Sequence, residues 1–449
     1  MEQADIVVIG GSAAGLTAAI TARRHYPDKK ILMVRKEKQV LIPCGIPYIF
    51  GTLGSPQKNL ISDAVLEKND IKLLLAEATD IDREGKVLHT TEGDVGYERL
   101  IVATGSRPAM PSIPGCDLDG VYAVVKDVEY LSNLQQRLET VEDVVIIGGG
   151  FIGIELGDEI NKAGDKNVTI IEMLPHCLAL AYDEEFCIEM EKVLESRGLN
   201  IRTSSRVEKI AGNGKVEKVV LSNGDEIKAD IVILAIGAVA NVDVARKAGL
   251  RIGLTGGIAV DRTMQTSDAN IYACGDCAEK ISFFGGRPSP LKLASIATLE
   301  ARIAGANLFG IRRENIGTVG VWSTAVGNHA LATAGLTEGM AKKRGYDVVA
   351  VTIQGPNRHP GIMPGAVDTR LKLVFERNSG VILGGQVMGG PAVGEIINAI
   401  SACVQNRMTA EDMAMFQAGT HPALTASPIA YHMVNAAEMA IKQMRERGG

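Results

Sequence analysis

Two stretches of this chain carry an apolar run, a glycine-rich turn and a helical segment in that order. Asp5-Ile6-Val7-Val8-Ile9 leads into Gly10-Gly11-Ser12-Ala13-Ala14-Gly15 and then Leu16 to Arg24. Val144-Val145-Ile146-Ile147 leads into Gly148-Gly149-Gly150-Phe151-Ile152-Gly153 and a helix expected from Ile154 to Ala163. A tight turn between a strand and a helix lets the backbone approach a pyrophosphate at the helix N-terminus. A chain with two such units is committed to an α/β fold with more than one domain, and 449 residues suit about three.

The second turn is a full G-x-G-x-x-G. The next strand, Val168-Thr169-Ile170-Ile171, ends in Glu172, which stands 19 residues past Gly153, close to the roughly 20 expected of a ribose-binding acid. A carboxylate there accepts from an adenosine 2′-hydroxyl and repels a 2′-phosphate. Met173 and Leu174 follow and offer no arginine, so the spacing points to NADH, with NADPH disfavoured. The first turn is imperfect. Ser12 replaces the middle glycine, and the next strand, Ile31-Leu32-Met33-Val34, ends in Arg35 where an acid is expected, with Glu37 two positions on. A tight turn without a ligand is the plain alternative. Two turns mean two dinucleotides or one duplicated fold; a flavin with a nicotinamide is the obvious pairing.

Between the turns lies Val40-Leu41-Ile42-Pro43-Cys44-Gly45-Ile46-Pro47-Tyr48. Pro43 fixes the chain before the thiol and Gly45 removes bulk after it. No second cysteine follows at Cys-x-x-Cys spacing. We read Cys44 as a lone redox sulfur, against the plain alternative of a buried free cysteine. A helix starting near Pro47 would favour the thiolate. Two small-residue turns follow strands later on, at Ala103-Thr104-Gly105 and at Gly237, and mark domain crossings near 110 and 240. Asn270 to Ala273 leads into Cys274-Gly275-Asp276-Cys277, where Asp276 is placed to accept from a ribityl hydroxyl.

Composition narrows the class. The net charge of −6 argues against a nucleic-acid or anionic-membrane binder. Seven cysteines without regular spacing argue against a disulfide framework. Apolar runs are too short to span a bilayer. The first strand begins by about Asp5, which leaves no room for a signal peptide, so the cytoplasm is the expected location.

The ordered set of Gly10–Gly15, Cys44, Ala103-Thr104-Gly105, Gly148–Gly153, Glu172 and Gly275-Asp276 resembles the pyridine nucleotide–disulfide oxidoreductase superfamily. The likeness spans nearly the whole chain. It implies an α/β fold with two Rossmann-like dinucleotide-binding domains and a C-terminal α+β dimerisation domain. The FAD-binding domain would be discontinuous, 1–110 and 241–318; the NAD(P)H-binding domain would be 111–240 and the dimerisation domain 319–449. FAD is expected on the first turn, with Arg35, Ala103, Thr104, Gly105, Gly275 and Asp276 beside it. NADH is expected on Gly148, Gly150, Phe151, Gly153 and Glu172, with Gly237 nearby and Phe151 as a cover over the flavin. No metal is implied. Cys274 and Cys277 have redox or zinc spacing, but inside the flavin motif they read as small fillers.

A single cysteine before Gly-x-Pro-Tyr resembles the branch of coenzyme A-disulfide reductases, NADH-dependent persulfide or polysulfide reductases, NADH oxidases and NADH peroxidases. There the sulfur cycles between thiolate and mixed disulfide, persulfide or sulfenic acid. The implied activity is FAD-dependent, NAD(P)H-driven reduction of a disulfide, persulfide or polysulfide. The alternatives are an oxidase or peroxidase and an electron-transfer flavoprotein serving a protein partner. Ala13 and Ala14 occupy the place where peroxide- and oxygen-handling relatives carry a histidine, which favours sulfur substrates. Coenzyme A would bind near Arg23, Arg24 and Lys72, although a solvated helix end explains these charges equally well. The segments Val319–Trp322, Val348–Ile353, Leu371–Phe375 and Val381–Val387 read as antiparallel strands, followed by helices at Val393–Arg407 and Pro428–Arg445; this part implies a homodimer. Two departures stand out. A tyrosine-rich stretch of the coenzyme A-disulfide reductases is replaced by His359-Pro360-Gly361. Thr420-His421-Pro422 resembles the acid/base stretch of the two-cysteine branch, but its orienting glutamate is Ala426. His421 can protonate a leaving thiolate; His359 is the weaker alternative.

Overall fold

The computed structural model describes residues 1–446 and divides into two compact units, residues 1–142 with 233–318 and residues 143–232 with the described residues from 319 onward. The first unit is built on a seven-stranded sheet. Strands Lys72–Leu75, Ile31–Arg35, Glu2–Ile9 and Gly93–Val102 lie side by side and parallel. Ile271–Ala273 adds a further parallel strand against the end of Gly93–Val102, and Val87–Thr90 with Ala78–Asp82 form an antiparallel edge. Ile6, Val7 and Val8 are fully buried. A parallel sheet covered on both faces needs such an unbroken apolar run.

The helix Ala13–His25 packs on the helix Ala294–Asn307, and Ala18, Ala19, Ala22, Ala301 and Ala304 are all buried in one core. A Cβ at Gly305 would stand 2.5 Å from the Ala18 carbonyl oxygen, so the two backbones touch only because that side chain is missing. Ser106–Pro108 pairs with Ala238–Ala240. Asn241 clamps this ribbon: its backbone N–H donates to the Gly105 carbonyl at 3.0 Å, and its carbonyl accepts from Thr104 Oγ1 at 2.6 Å. The turns at Gly105 and Gly237, related only by composition in the sequence, are thus joined by one short ribbon.

In the second unit, Asp143–Ile147, Asn167–Ile171 and Asn200–Arg202 are parallel neighbours, with a small antiparallel sheet of Val207–Ala211, Lys218–Leu221 and Glu226–Lys228. The expected helix after the second turn begins earlier, at Phe151, and runs to Ile160, with a 3₁₀ turn through Ala163. The C-terminal part holds a five-stranded antiparallel sheet in the order Val321–Val326, His329–Gly335, Ile382–Gly389, Asp368–Glu376, Val348–Pro356. Helices Val393–Gln405 and His432–Glu446 pack on it. The strand His329–Gly335 carries no β-branched residue except Thr333, so propensity does not announce it. It is fixed by pairing on both sides, and its alanines let the helix Val393–Gln405 approach. No helix among the described residues is long and apolar enough to cross a membrane.

Candidate functional site

Three segments expected at one dinucleotide converge in the first unit. Gly10 has φ +109°, and a Cβ there would overlap the Ala103 carbonyl; one at Gly15 would overlap the Gly10 carbonyl. Both positions therefore demand glycine. Cys274 N–H donates to the Val102 carbonyl at 3.1 Å, and a Cβ on Gly275 would lie 2.7 Å from Ala14 Cβ. The first turn, Ala103-Thr104-Gly105 and Gly275-Asp276 are thereby brought together. The first turn of the helix Ala13–His25 holds no acid, and the hydroxyl of its N-cap, Ser12, makes no capping bond. At Gly105, with φ +70°, a Cβ would meet nothing within 4 Å. Asp276 is half-buried; Ser106 Oγ donates to its Oδ2 at 2.7 Å, and Lys126 Nζ lies 3.9 Å away. Unobstructed backbone at Gly105, a first helical turn without an acid and an acceptor carboxylate at Asp276 fit the pyrophosphate and hydroxyls of FAD.

Arg35 takes an unexpected place. Its stem lies against Gly11, and its guanidinium is bidentate to Asp63 at 2.7 Å for both bonds, with Nε donating to the Glu37 carbonyl at 2.8 Å. The side chain is 2% exposed and that of Asp63 is 46% exposed. The basic residue at the strand end is thus matched by Asp63, 28 residues on. No local signal in the sequence connects the two.

Cys44 is the one exposed cysteine of the seven, and no disulfide joins any of them. It sits in the 3₁₀ turn Pro43–Gly45. The helix expected at Pro47 is a four-residue 3₁₀ turn, Pro47–Phe50, which corrects the expectation of a helix dipole at the sulfur. The turn is braced by Asn59, which is buried. Ile42 N–H donates to the Asn59 carbonyl and Asn59 Nδ2 to the Ile42 carbonyl, both at 2.9 Å. A Cβ at Gly45 would overlap the Asn59 amide, so this glycine makes room for the brace. Below the turn, Leu41, Ile46 and Ile49 form a small core with Leu131 of the helix Val128–Leu138. By contrast Cys274 and Cys277 are fully buried, and burial pushes both thiols up.

The second turn lies in the second unit. Gly148 has φ +112° and donates to the Ile171 carbonyl at 2.8 Å. Gly150 caps the helix Phe151–Ile160, and a Cβ on it would meet nothing within 4 Å; Gly153 is buried. The carboxylate of Glu172 is pinned to this loop. Its Oε2 accepts from Gly149 N–H at 2.7 Å and its Oε1 from Leu174 N–H at 2.8 Å. Phe151 stacks on Trp322, with ring centres 6.2 Å apart and planes 8° from parallel, and tilts against Tyr182. One helical turn on, Glu155 accepts from Thr324 Oγ1 at 2.8 Å. Burial, abetted by Glu159, pushes the Glu155 carboxyl up to about 7. Trp322 and Thr324 belong to the first strand of the C-terminal sheet.

His421 is exposed; its Nδ1 accepts from Ala423 N–H at 3.2 Å, which leaves Nε2 to carry the proton of the neutral ring. The His359 loop is stitched to the same segment, with His359 N–H donating to the Pro422 carbonyl at 3.2 Å and Nδ1 bonded to the Thr425 carbonyl at 3.1 Å. The residues expected to hold coenzyme A differ among themselves. Arg23 is 15% exposed in its side chain and donates to the carbonyls of Asn69, Pro27 and Lys29 at 3.0, 2.7 and 2.8 Å. It closes the chain's own turn through these bonds. Lys72 pairs with Glu2 at 2.6 Å on the surface, and Arg24 is exposed.

The family model described as pyridine nucleotide-disulphide oxidoreductase matches residues 4–301, and the dimerisation domain of the same name matches 321–431. The chain belongs to this family. It is an oxidoreductase, and the family's cofactors are FAD and NAD(P)H. An NAD(P)H coenzyme A polysulfide/persulfide reductase of Pyrococcus horikoshii is 35% identical over 402 residues, 88% of this chain and 89% of that one. An NADH oxidase of Methanocaldococcus jannaschii is 30% identical over 453 residues, 98% of this chain and 99% of its own length. Among solved structures, an NAD-dependent persulfide reductase from A. fulgidus matches with TM-score 0.91 and 34% identity, covering 98% of this chain and 84% of that chain. The fold class and family expected from the motifs agree with these matches.

Proposed function

We propose that this family member reduces the sulfur–sulfur bond of a small disulfide, persulfide or polysulfide, including coenzyme A-linked ones, at the expense of NAD(P)H. The observation that carries the reading is Cys44: one exposed thiol on a braced turn, in the same compact unit as the glycine turn and Asp276. The relatives named for persulfide and polysulfide reduction support it.

FAD, held by Gly10–Gly15, Ala103–Gly105 and Gly275-Asp276, would supply two-electron chemistry between nicotinamide and sulfur. The chain's own residues supply the rest. Gly148–Gly153 offer amides to the nucleotide pyrophosphate, and Glu172 accepts from a ribose hydroxyl. Cys44 as thiolate attacks one sulfur of the substrate; the S–S bond breaks, the second sulfur leaves as a thiolate, and a mixed disulfide remains on Cys44. His421, with Nε2 carrying its proton, is suited to protonate the leaving sulfur. Two electrons that originate from NAD(P)H then cleave the mixed disulfide, releasing the attached substrate sulfur as a second thiolate and restoring the Cys44 thiolate.

Oxygen is the second acceptor to consider, because the Methanocaldococcus relative is named an NADH oxidase. Ala13 and Ala14 stand in the first helical turn, while His25 closes the far end of that helix. This places no imidazole at the first turn and favours sulfur. The homodimer rests on the match to the dimerisation domain, and a reducing compartment such as the cytoplasm suits seven cysteines that form no disulfide.

The test is anaerobic NADH oxidation by the holoenzyme with coenzyme A disulfide, polysulfide or peroxide as acceptor. The first two should support turnover. Cys44→Ser should abolish it while leaving flavin bleaching by NADH intact. Undiminished sulfur turnover in that variant would sink the reading.

A further inference from the structure

Beneath the Gly275-Asp276 turn lies a fully buried ion pair that the proposed chemistry does not use. Lys280 is 2% exposed and Glu300, on the helix Ala294–Asn307, is 0% exposed. Lys280 Nζ donates to the Gly275 carbonyl, to the Ala278 carbonyl at 2.8 Å and to Glu300 Oε2 at 3.0 Å. The same Oε2 accepts from Gly275 N–H at 2.9 Å. One pair thus holds the amide and two carbonyls of a single turn. Glu300 Oε1 has no hydrogen-bond partner among the described residues.

Packing does not require this arrangement. Burying two charges costs solvation that their attraction only partly returns, and apolar groups of similar volume are often as stable or more so. An orphaned buried carboxylate oxygen adds a further cost. Burial pushes the Glu300 carboxyl up, against the pull of Lys280. The charges facing the pair are Asp276 and, through Asp276 and Lys280, the half-buried Lys292; the Cys274 thiol, itself pushed up by burial, also faces Glu300.

We propose that Lys280 and Glu300 are positioning residues for the flavin-contacting turn and that their opposite charges set the reduction potential there. The proposal rests on the reading that Gly275-Asp276 contacts FAD. The two-electron reduced flavin is more negative than the oxidised one. A buried positive charge near it therefore favours reduction, and a buried negative charge opposes it.

The experiment measures the flavin midpoint potential of the holoenzyme against reference dyes, anaerobically, in Glu300→Gln, Lys280→Met and the double variant. Glu300→Gln leaves Lys280 uncompensated and should raise the potential. Lys280→Met should lower it. Each shift should correspond to about a tenfold change in the reduced-to-oxidised ratio, roughly 30 mV for a two-electron couple. The double variant, with both charges gone, should return toward the wild-type value. A merely structural pair would lower FAD content in both single variants without shifts of opposite sign, and that result overturns the proposal. If Lys280→Met does not fold, a wild-type potential in Glu300→Gln is sufficient to overturn it. Asp276→Ala separates the two readings: it should lose FAD. If it binds FAD like the wild type, the placement of the cofactor fails and the proposal with it. If it loses FAD while Glu300→Gln keeps the wild-type potential, the proposal alone fails.

Discussion

Replacing Glu172 by glutamine tests nucleotide choice at one atom pair. An ionised carboxylate offers about four lone-pair sites. Two are engaged by Gly149 and Leu174, at 2.7 and 2.8 Å, which leaves acceptor capacity for a ribose hydroxyl. Losing a charge-assisted bond to that hydroxyl costs about 1.5 kcal/mol, roughly tenfold in kcat/KM for NADH. For NADPH the sign reverses. A unit charge pair about 4 Å apart in water is worth about 1 kcal/mol, so a 2′-phosphate of charge near −2 is repelled by ~2 kcal/mol, roughly 30-fold. Glu172→Gln should therefore move the NADPH-to-NADH ratio of kcat/KM by a factor on the order of a few hundred at low salt. The electrostatic part should shrink at 1 M salt, where screening acts within about 3 Å, while the hydrogen-bond part persists. Steady-state rates with both nucleotides at two ionic strengths decide it. A ratio within about threefold of wild type would refute the assignment of Glu172 to the ribose.

Asn59→Ala should leave the Ile42 carbonyl without its side-chain donor and destabilise the Cys44 turn by about 1–2 kcal/mol; faster alkylation of Cys44 by a thiol reagent would report the loosening. Glu155→Gln should stabilise the fold at pH 8 but not near pH 4. The folded carboxyl titrates at about 7 and the unfolded one near 4.5, so between those values only the unfolded state ionises, and the wild type loses about 3 kcal/mol by pH 7 and above. Thermal midpoints of both proteins at the two pH values check the sign. Arg23→Ala should cost on the order of 2 kcal/mol through its lost carbonyl bonds and leave the KM for coenzyme A disulfide unchanged. A raised KM with unchanged stability would return Arg23 to the ligand.

The two glycine turns were legible because each needs a strand, a turn and a helix at fixed spacing, and backbone geometry at Gly10, Gly15 and Gly148 admits no other residue. The C-terminal sheet was legible where strands were β-branched and hidden at His329–Gly335, where alanine packing against a helix decides. The partners of the site residues were not legible. Asn59 under Cys44, Asp63 on Arg35, Ser106 on Asp276 and Glu300 on Lys280 are joined only by the fold, across separations that carry no periodic signal. Arg23 shows the same limit: nothing in a basic run at a helix end announces that the carbonyls of Asn69, Pro27 and Lys29 engage its guanidinium.

Trp322 is the single tryptophan of the chain and lies flat against Phe151. The protein therefore has a built-in optical probe packed beside the second glycine turn, with no competing indole elsewhere. Any ligand that draws Phe151 off its neighbour changes the emission of one known side chain, so docking can be timed by fluorescence before a single electron has moved.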